Sequence, residues 1–325
     1  MLDERDLGHR VVVRHRTPAG PTDVLGQLTR LDGTVVVVRT EDGREHTIDQ
    51  ANVIAGKPIP ARPPRYSEII TLERLADRAW PAPHVRHLGD WLLRSAQGWT
   101  NRANSALPLG EADRPLAEAV QVTREWYEAQ DLPAKITVPL PVRRDVADHL
   151  TASGWTARPT VQVQTAQLTD LLAAARPGEV TLHERPSPEF LALVRARKES
   201  LPAAAEHVLL AGGTPDAPPV RFAHARDETG TLLAIARGAV VDDYLHLGLV
   251  EVSPTARRRG LAQAVSAALA QWAGAWGATR AVLQVEEHNE AAVRLYAKLG
   301  FTPHHRYITF DASPSSADLG VFRVS

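Results

Sequence analysis

The sequence contains no cysteine, and this absence excludes several kinds of chemistry. Disulfides, thiolate zinc sites, iron–sulfur clusters and a cysteine nucleophile are all impossible without that residue. The sequence also lacks an apolar run of about 18 residues, so we expect no membrane-spanning helix. The segment MLDERDLGHR (1–10) is charged, so we expect no secretory signal and predict a cytoplasmic protein.

An excess of charge of one sign is lacking as well. The 37 basic residues (Lys and Arg) and 38 acidic ones (Asp and Glu) give a formal net charge of −1. A nearly neutral chain is not a general binder of polyanions, so we predict no nucleic-acid partner. Hydrophobic residues are plentiful, at 44% of the 325 residues. At roughly 150 residues per domain, this length predicts two or three domains.

Residues 1–60 consist of short β-branched runs separated by turn signals. The dipeptides Asp32-Gly33 and Asp42-Gly43 are typical of hairpin turns. This pattern predicts a small all-β barrel. The proline-rich segment that follows, KPIPARPPR (57–65), is interpreted as a stiff linker. Short strands are predicted at 11–13, 24–31, 35–38 and 47–48.

The rest of the chain contains an internal repeat. LAEAV (116–120) matches LAQAV (261–265), and HLTASGW (149–155) matches LYAKLGF (295–301), at offsets of 145 and 146 residues. In both copies a helix, a strand, a helix and a Gly-aromatic pair follow in that order. We therefore predict two related domains, at 66–172 and 178–313, and a poorly ordered tail at 314–325.

The second copy carries an anion-binding pattern. A predicted strand ends at Val252, and a helix opens with Arg257-Arg258-Arg259-Gly260-Leu261-Ala262. In the first copy, a strand is predicted at 103–107. The first N–H groups of a helix lack intrahelical partners and carry partial positive charge. Gly260 allows a ligand to approach the main chain closely, and the arginines supply charged contacts to phosphates. The pattern predicts a phosphate-binding loop.

A second motif lies in the segment 283–301. Asn289 occupies a helix N-cap position, and Tyr296, seven residues later, falls on the same helix face. Arg257-x-x-Gly260-x-Ala262, followed by Asn289 to Phe301, closely resembles the GCN5-related N-acetyltransferase (GNAT) family over about residues 180–310. The whole chain resembles an actinobacterial type with an N-terminal SH3-like domain and a degenerate first GNAT-like repeat. The resemblance implies an α/β (α+β) GNAT fold, with a mixed central sheet and flanking helices in tandem.

The resemblance also implies a site for acetyl-CoA as cosubstrate, between two neighbouring strands. The pantetheine is expected along Val250 and Val252 and beside Asn289, the pyrophosphate is expected on the arginine–glycine loop, and Tyr296 is expected to protonate the leaving thiolate. The cofactor-binding residues implied in this way are Val250, Val252, Arg257, Arg258, Arg259, Gly260, Leu261, Ala262, Asn289 and Tyr296.

An attacking amine must lose a proton, so a general base is useful. Our candidate is Glu251, whose side chain points away from those of Val250 and Val252 because strand residues alternate. In some GNAT proteins a glutamate lies on the next strand, where this chain has Gln284, which cannot act as a base. Glu286, Glu287 and His246 are the alternatives.

The first copy departs from the motifs. Pro115 stands where the second copy has Gly260, and Arg143 and Leu150 stand where it has Asn289 and Tyr296. We predict that this copy binds no cofactor and forms a wall of the acceptor site. Trp99 and Asn104, in the segment 98–110, are the candidates for substrate binding. No metal site is predicted.

The predicted function is acetyl-CoA-dependent transfer of an acetyl group to an amine of a small molecule, or to a protein lysine or N-terminus. Because cysteine is absent, we expect direct transfer in a ternary complex. One alternative is a non-catalytic module that senses acyl-CoA or recruits a protein partner through the SH3-like domain. Another is a mycothiol-synthase-like acetyltransferase, against which the barrel argues. The oligomeric state is not predicted.

Overall fold

The computed structural model describes residues 2–40, 42–60, 62–174, 178–198, 201–214 and 216–313. The chain divides into two compact units, Met1–Pro63 and Pro64–Ser325. The predicted tail at 314–325 lies outside the described residues. Within the described part of the chain, every helix is too short or too polar to cross a membrane.

The first unit is a five-stranded antiparallel sheet in the order β4-β3-β2-β1-β5. Burial alternates along β2 from Val24 to Leu28, and Val11, Val13, Leu28 and Val38 are fully buried in the core of the unit. Both predicted hairpins are confirmed, because β2 pairs with β3 and β3 with β4. The strands are β1 (Arg10–Thr17), β2 (Gly20–Leu31), β3 (Val35–Arg39), β4 (Glu45–Asp49) and β5 (Val53–Pro58).

The second unit begins with the first copy of the repeat. Its first helix is amphipathic and buries Ile69, Leu72 and Leu75. The strand predicted over 103–107 is wrong for most of its length, because 101–105 form turns. The elements are α1 (Tyr66–Ala79), β6 (His84–Leu88), β7 (Trp91–Ser95), β8 (Leu107–Pro108), α2 (Leu116–Glu128), β9 (Lys135–Leu140), α3 (Arg144–Ala152), β10 (Thr156–Ala157), β11 (Val161–Gln167) and α4 (Leu168–Ala174).

The second copy repeats the order of helix, strand, helix and strand at the predicted offsets. Its helices α7 and α8 correspond to α2 and α3, and its strands β16 and β17 correspond to β9 and β11. The elements are β12 (Val180–His183), α5 (Pro188–Lys198), α6 (Ala204–Leu209), β13 (Val220–Arg226), β14 (Leu232–Val241), β15 (Tyr244–Val252), α7 (Leu261–Ala275), β16 (Arg280–Glu286), α8 (Glu290–Lys298) and β17 (Thr302–Asp311).

The two copies exchange their last strands. In the nine-stranded sheet the order is β10-β17-β11-β16-β15-β14-β13-β12, and β9 pairs with β17. Strand β11 of the first copy therefore lies between β16 and β17 of the second. Conversely, β17 pairs with β9 of the first copy, from Arg306↔Leu140 to Asp311↔Lys135.

Two polar contacts, one buried and one partly exposed, hold the exchanged strands. The hydroxyls of Thr137 on β9 and Thr309 on β17 are 2.8 Å apart in the interior. Arg158 donates to both carboxylate oxygens of Asp311 at 2.5 and 2.9 Å. Since the ladders cross from one copy to the other in both directions, the copies form a single compact unit.

The large sheet is covered on both faces. On one, called the α7 face, Leu245 and Leu283 pack with Leu269 of α7. On the other, called the α1 face, Ile235 and Val282 pack in a cluster that contains Leu72 and Leu75 of α1 and Phe190 of α5. Successive residues of each strand point to opposite faces of the sheet, and they therefore pack into two separate cores.

Candidate active site

Strands β15 and β16 separate part-way along their length and leave a wedge between them. They pair in parallel from Tyr244↔Arg280 to Leu247↔Leu283. Beyond that point β15 stays paired with β14 as far as Val252, and β16 stays paired with β11 as far as Glu286. Backbone groups on the facing edges of the two strands can therefore pair with an extended ligand in the wedge.

A β-bulge accounts for the separation. Ile235 of β14 pairs with Glu251, and Arg237 pairs with Gly248, so β15 has one extra residue between these pairs. Leu249, within the bulge, has a φ of +50°, in the left-handed region. A bulge bends its strand and increases the local twist, and here it directs β15 away from β16.

The loop after β15 leads into an exposed helix N-terminus. Gly260 is the N-cap of α7 with a φ of +82°, and no side chain in the described structure caps this helix. Arg257, Arg258 and Arg259 are all exposed just before it. Helix α8 differs, since the Asn289 side chain accepts a hydrogen bond from the Ala292 N–H at 3.2 Å. The α7 terminus therefore presents N–H groups and positive charge to an anion.

The apolar residues predicted to contact the cofactor line one cluster. Val250 and Val252 of β15, Leu261 of α7 and Tyr296 of α8 all pack, partly buried, against the core of the α7 face. The Tyr296 ring meets Phe301 edge to face, with 5.7 Å between ring centroids. The structure thus brings the end of β15, the start of α7 and the last turn of α8 to one side of the wedge.

Glu251 lies on the opposite face of β15. It pairs directly with Ile235, which belongs to the core of the α1 face, and paired residues on neighbouring strands point the same way. Gln284 lies on the same face, because it pairs with Val163 of that core. The predicted role of Glu251 as base stays a prediction.

His246 lies in a positively charged environment. Burial, followed by the positive charges of Arg237 and Arg102, lowers the pKa of His246 to about 3. The ring is therefore neutral at pH 7 and is a weak base there, which argues against His246 as the base. Burial and the charge of Arg102 also lower the pKa of Arg237 to about 9, so Arg237 remains charged at neutral pH.

A small polar cavity of about 10 Å³, room for one water molecule, lies on the α1 face, and Gln284, the residue directly after the last β15–β16 pair, lines it. Most of its other lining side chains come from the first copy, among them Glu73, Asp77, Arg94 and Arg102. The sequence motifs gave no indication of Glu73, Asp77 and Arg94, whereas Arg102 lies in the segment 98–110 that we singled out for substrate binding without naming Arg102 itself. This placement fits the predicted role of the first copy as a wall of the acceptor site.

Trp99 and Asn104, the predicted acceptor residues, are both buried. Trp99 is 3% exposed and stacks on Trp80 with 5.6 Å between ring centroids. The Asn104 amide accepts from the N–H groups of Ala96 and Gly98, and it donates to the carbonyls of Trp99 and Thr100. Asn104 thus closes the loop that carries Arg102, and substrate contact by either residue stays a prediction.

Replacing Asn104 with alanine is expected to lower the free energy of unfolding by about 2–4 kcal/mol, because four backbone groups, two of them in fully buried hydrogen bonds, lose their partner. Asn101→Ala removes a contact with Lys135 at 3.0 Å and is expected to cost less. Chemical denaturation of both variants checks this. Equal losses, or a loss confined to the acceptor KM with stability unchanged, would contradict the structural role.

The corresponding place in the first copy is closed by protein contacts. Arg143, at the position of Asn289, forms ion pairs with Asp145 at 2.7 Å and with Glu111 at 3.8 Å. Glu111 belongs to the loop before α2, and Pro115 caps that helix. Leu150, at the position of Tyr296, is fully buried. An acidic loop tied to Arg143 is a poor phosphate site, and the absence of cofactor binding in this copy stays a prediction.

Comparison with known proteins assigns the family. The profile of the family described as "Probable histone acetyltransferase Rv0428c C-terminal" matches residues 66–310. The chain belongs to this family. A second profile, the "Rv0428c N-terminal Sm-like domain", matches residues 5–57. The first unit is therefore an Sm-like domain, a small β domain as the predicted SH3-like barrel is, so the predicted N-terminal β domain is confirmed.

Relatives extend over nearly the whole chain. It is 30% identical over 323 residues to the probable histone acetyltransferase Rv0428c of Mycobacterium tuberculosis, covering 95% of this chain and 97% of that protein. It is 27% identical over 255 residues to the uncharacterized N-acetyltransferase YobR of Bacillus subtilis, covering 73% of this chain and 97% of that protein.

Solved structures share the fold. A GCN5-related N-acetyltransferase from Kribbella flavida aligns with a TM-score of 0.56 at 20% identity, over 77% of this chain and 98% of that one. The predicted GNAT membership and fold are confirmed, and the protein is an acyltransferase of the N-acetyltransferase type.

Proposed function

We propose that this acyltransferase transfers acetyl directly from acetyl-CoA to an amine within a ternary complex. The observation that carries the proposal is the wedge between β15 and β16 together with the α7 terminus that follows β15. In acetyl-CoA an extended pantetheine arm is followed by a negatively charged pyrophosphate. The arm matches the open strand edges of the wedge, and the pyrophosphate matches the positively charged start of α7.

The residues present fit such a ligand. The backbone of Val250 and Val252 would pair with the amide groups of the pantetheine arm. The N–H groups of Leu261 and Ala262, with the guanidinium groups of Arg257 to Arg259, would hold the pyrophosphate. Asn289, at the start of α8, would contact the arm while it also caps its helix.

The reaction requires a group that accepts a proton, a group that donates a proton, and hydrogen-bond donors that stabilise the negative charge on the carbonyl oxygen. The amine nitrogen forms a bond to the thioester carbonyl carbon, and the carbon–sulfur bond then breaks. Glu251 would accept the proton that the amine loses, and Tyr296 would donate a proton to the departing thiolate. Backbone N–H groups of β15 beyond its bulge would stabilise the oxyanion.

The composition of the chain supports direct transfer. A covalent acetyl-cysteine intermediate is impossible, because the sequence has no cysteine. We include protein lysines and N-termini among the acceptors, since one relative is named a probable histone acetyltransferase, and small-molecule amines as well. The Sm-like unit is proposed to recruit a protein partner.

The test is release of CoA from acetyl-CoA in the presence of a panel of amines, followed by the same assay with Tyr296→Phe. Loss of the phenolic proton donor is expected to lower kcat about 100-fold, a typical contribution of general acid catalysis. Tyr66→Phe is the matched control, because Tyr66 is 57% exposed at the start of α1. Its kcat is expected to be unchanged.

The outcomes separate an enzyme from a sensor. Turnover that depends on Tyr296 supports the proposed mechanism. Turnover that Tyr296→Phe leaves intact would refute the role of the tyrosine but not the transfer itself. Binding of acetyl-CoA without turnover of any amine would favour a module that senses acyl-CoA.

A further inference from the structure

Strand β6 forms an open edge of the three-stranded sheet β6-β7-β8 in the first copy. Its residues from His84 to His87 are exposed, and Leu88 is buried. Val85 is 47% exposed, which makes it one of the few large apolar side chains on the surface of the described part of the second unit. An open edge strand is a template for pairing with a further strand.

The turn after β6 determines which backbone groups lie on the open edge. Leu88 and Trp91 flank a two-residue turn, so they form a hydrogen-bonded pair. Hydrogen-bonded and non-hydrogen-bonded pairs alternate along an antiparallel ladder. The N–H and C=O groups of His87 and Val85, one and three residues before Leu88, therefore point away from β7. In the described chain neither residue has a backbone hydrogen bond to another element.

A groove of about 420 Å³ follows this edge. Four successive residues, Pro83 to Arg86, form one wall, and Trp126, Ala129 and Gln130 at the end of α2 form the other. Successive strand residues point to opposite faces, so a wall of four in a row is the edge of β6 rather than one of its faces. The volume lies within the range of about 300–1,000 Å³ that ligand pockets have, so the groove has room for side chains of a bound strand.

The wall formed by α2 is largely apolar. Trp126 is half-buried and meets Tyr127 edge to face, with 4.8 Å between ring centroids. Tyr127 and Leu88 share one core, so α2 covers the face of the sheet to which Leu88 points. His84 and Arg86, four and two residues before Leu88, point to the same face. The Trp126 ring and these two basic side chains therefore border the groove from opposite sides.

The β6 wall carries a positive charge that is not neutralised. No carboxylate lines the groove, and Arg86 forms no ion pair among the described residues. The hydrogen bond from Arg114 at 2.8 Å, and then the charge of Arg86, lower the pKa of Asp113, so that carboxylate already has a closer cation. An acidic side chain opposite Arg86 would supply the missing partner.

We propose that the β6 edge binds an extended acidic segment of another protein, which adds a strand beside β6. Its backbone would bond to the free groups of Val85 and His87, and its acidic side chains would lie opposite His84 and Arg86. The same charges disfavour a second copy of this chain, because pairing β6 with another β6 would bring the basic residues of both strands together. The inference does not depend on acetyl transfer.

The probe is a fluorescent peptide of about eight residues in which glutamate alternates with valine, titrated into the full-length protein and followed by fluorescence anisotropy. A twin with lysine in place of glutamate is expected to bind about 10-fold more weakly, because the charge pair with Arg86 becomes unfavourable. A twin N-methylated at every amide cannot donate to the ladder and is also expected to bind at least about 10-fold more weakly. Equal binding of either twin, or no measurable binding of the glutamate peptide, would overturn the inference.

Variants connect the binding to the edge of β6. Arg86→Gln is expected to weaken binding of the glutamate peptide about 10-fold, through loss of a charged partner. Val85→Pro removes one N–H from the open edge and should weaken binding similarly, whereas Val85→Thr keeps that N–H and should retain the affinity. Arg16→Gln, at an exposed arginine of β1, is the control and should bind as the parent does. Unchanged affinity in folded Arg86→Gln and Val85→Pro would contradict the assignment.

Two measurements identify other occupants of the edge. Sedimentation shows whether the protein forms a dimer that Val85→Pro dissociates, which would assign the edge to a second copy. Competition with a synthetic peptide of residues 314–325, which carries one acidic and one basic residue, shows whether the chain's own tail binds there. We expect neither such a dimer nor competition. Either result would overturn the assignment of the edge to a segment of another protein.

Discussion

Replacing Gly260 with glutamate is expected to weaken acetyl-CoA binding at least about 1,000-fold, because charged hydrogen bonds are lost and like charges meet. The glutamate would place a negative charge at the N-cap of α7, where the pyrophosphate is proposed to bind. It would also add a side chain at a φ of +82°, where the main chain must meet the ligand. Isothermal titration calorimetry with acetyl-CoA measures the change.

Gly277→Glu is the matched control for this substitution. Gly277 has a φ of +87° and an open space around it, and it follows the other end of α7. The two variants therefore carry a similar backbone strain and the same added charge. We expect Gly277→Glu to bind acetyl-CoA as the parent does. Equal weakening in both variants would mean that the loop of Gly260 is not the phosphate site.

The local features of the site could be predicted because each depends on a short stretch of sequence. A strand, an arginine–glycine loop and a helix start follow one another between Val252 and Ala262, and the cap at Asn289 involves residues three apart. The bulge at Leu249 could not be predicted, since no residue type there requires it. Its position is visible only from the pairing of β15 with β14.

The polar cavity could not be predicted, because its lining comes from residues far apart in the chain. Arg102 lies in a segment that the sequence indicated for substrate binding, yet the residues singled out there were Trp99 and Asn104, which are buried in the loop itself. The distinction depends on which side chains the fold leaves facing the cavity. Residues 101–105 form turns, so no helical or strand periodicity indicates which of their side chains face the cavity.

The exchange of strands was hidden for a different reason. Both β11 and β17 follow a helix and a glycine, as the last strand of each copy should, and their residue patterns suit either sheet position. Local patterning therefore predicts that both strands exist but not with which copy each pairs. The ladders of β11 with β16 and of β17 with β9 decide it.

This exchange predicts that neither copy folds alone. A fragment of residues 178–325 lacks β9 and β11, so β16 and β17 lose partners on buried edges. A fragment of residues 1–177 lacks β17 and exposes β9 and β11 in the same way. A domain has about 5–15 kcal/mol of stability, and losing such ladders together with the core beside them exceeds that amount. We expect no cooperative thermal unfolding of 178–325 by circular dichroism.

Mixing or co-expressing the two fragments is expected to restore a folded complex, because all the exchanged strands are then present. Division at the linker is the control: the fragment 64–325 keeps every pair of the large sheet and should unfold cooperatively on its own. A stable, cooperatively unfolding 178–325 would show that the second copy can pair β16 with its own β17. The exchange would then be one of two accessible arrangements rather than a requirement of the fold.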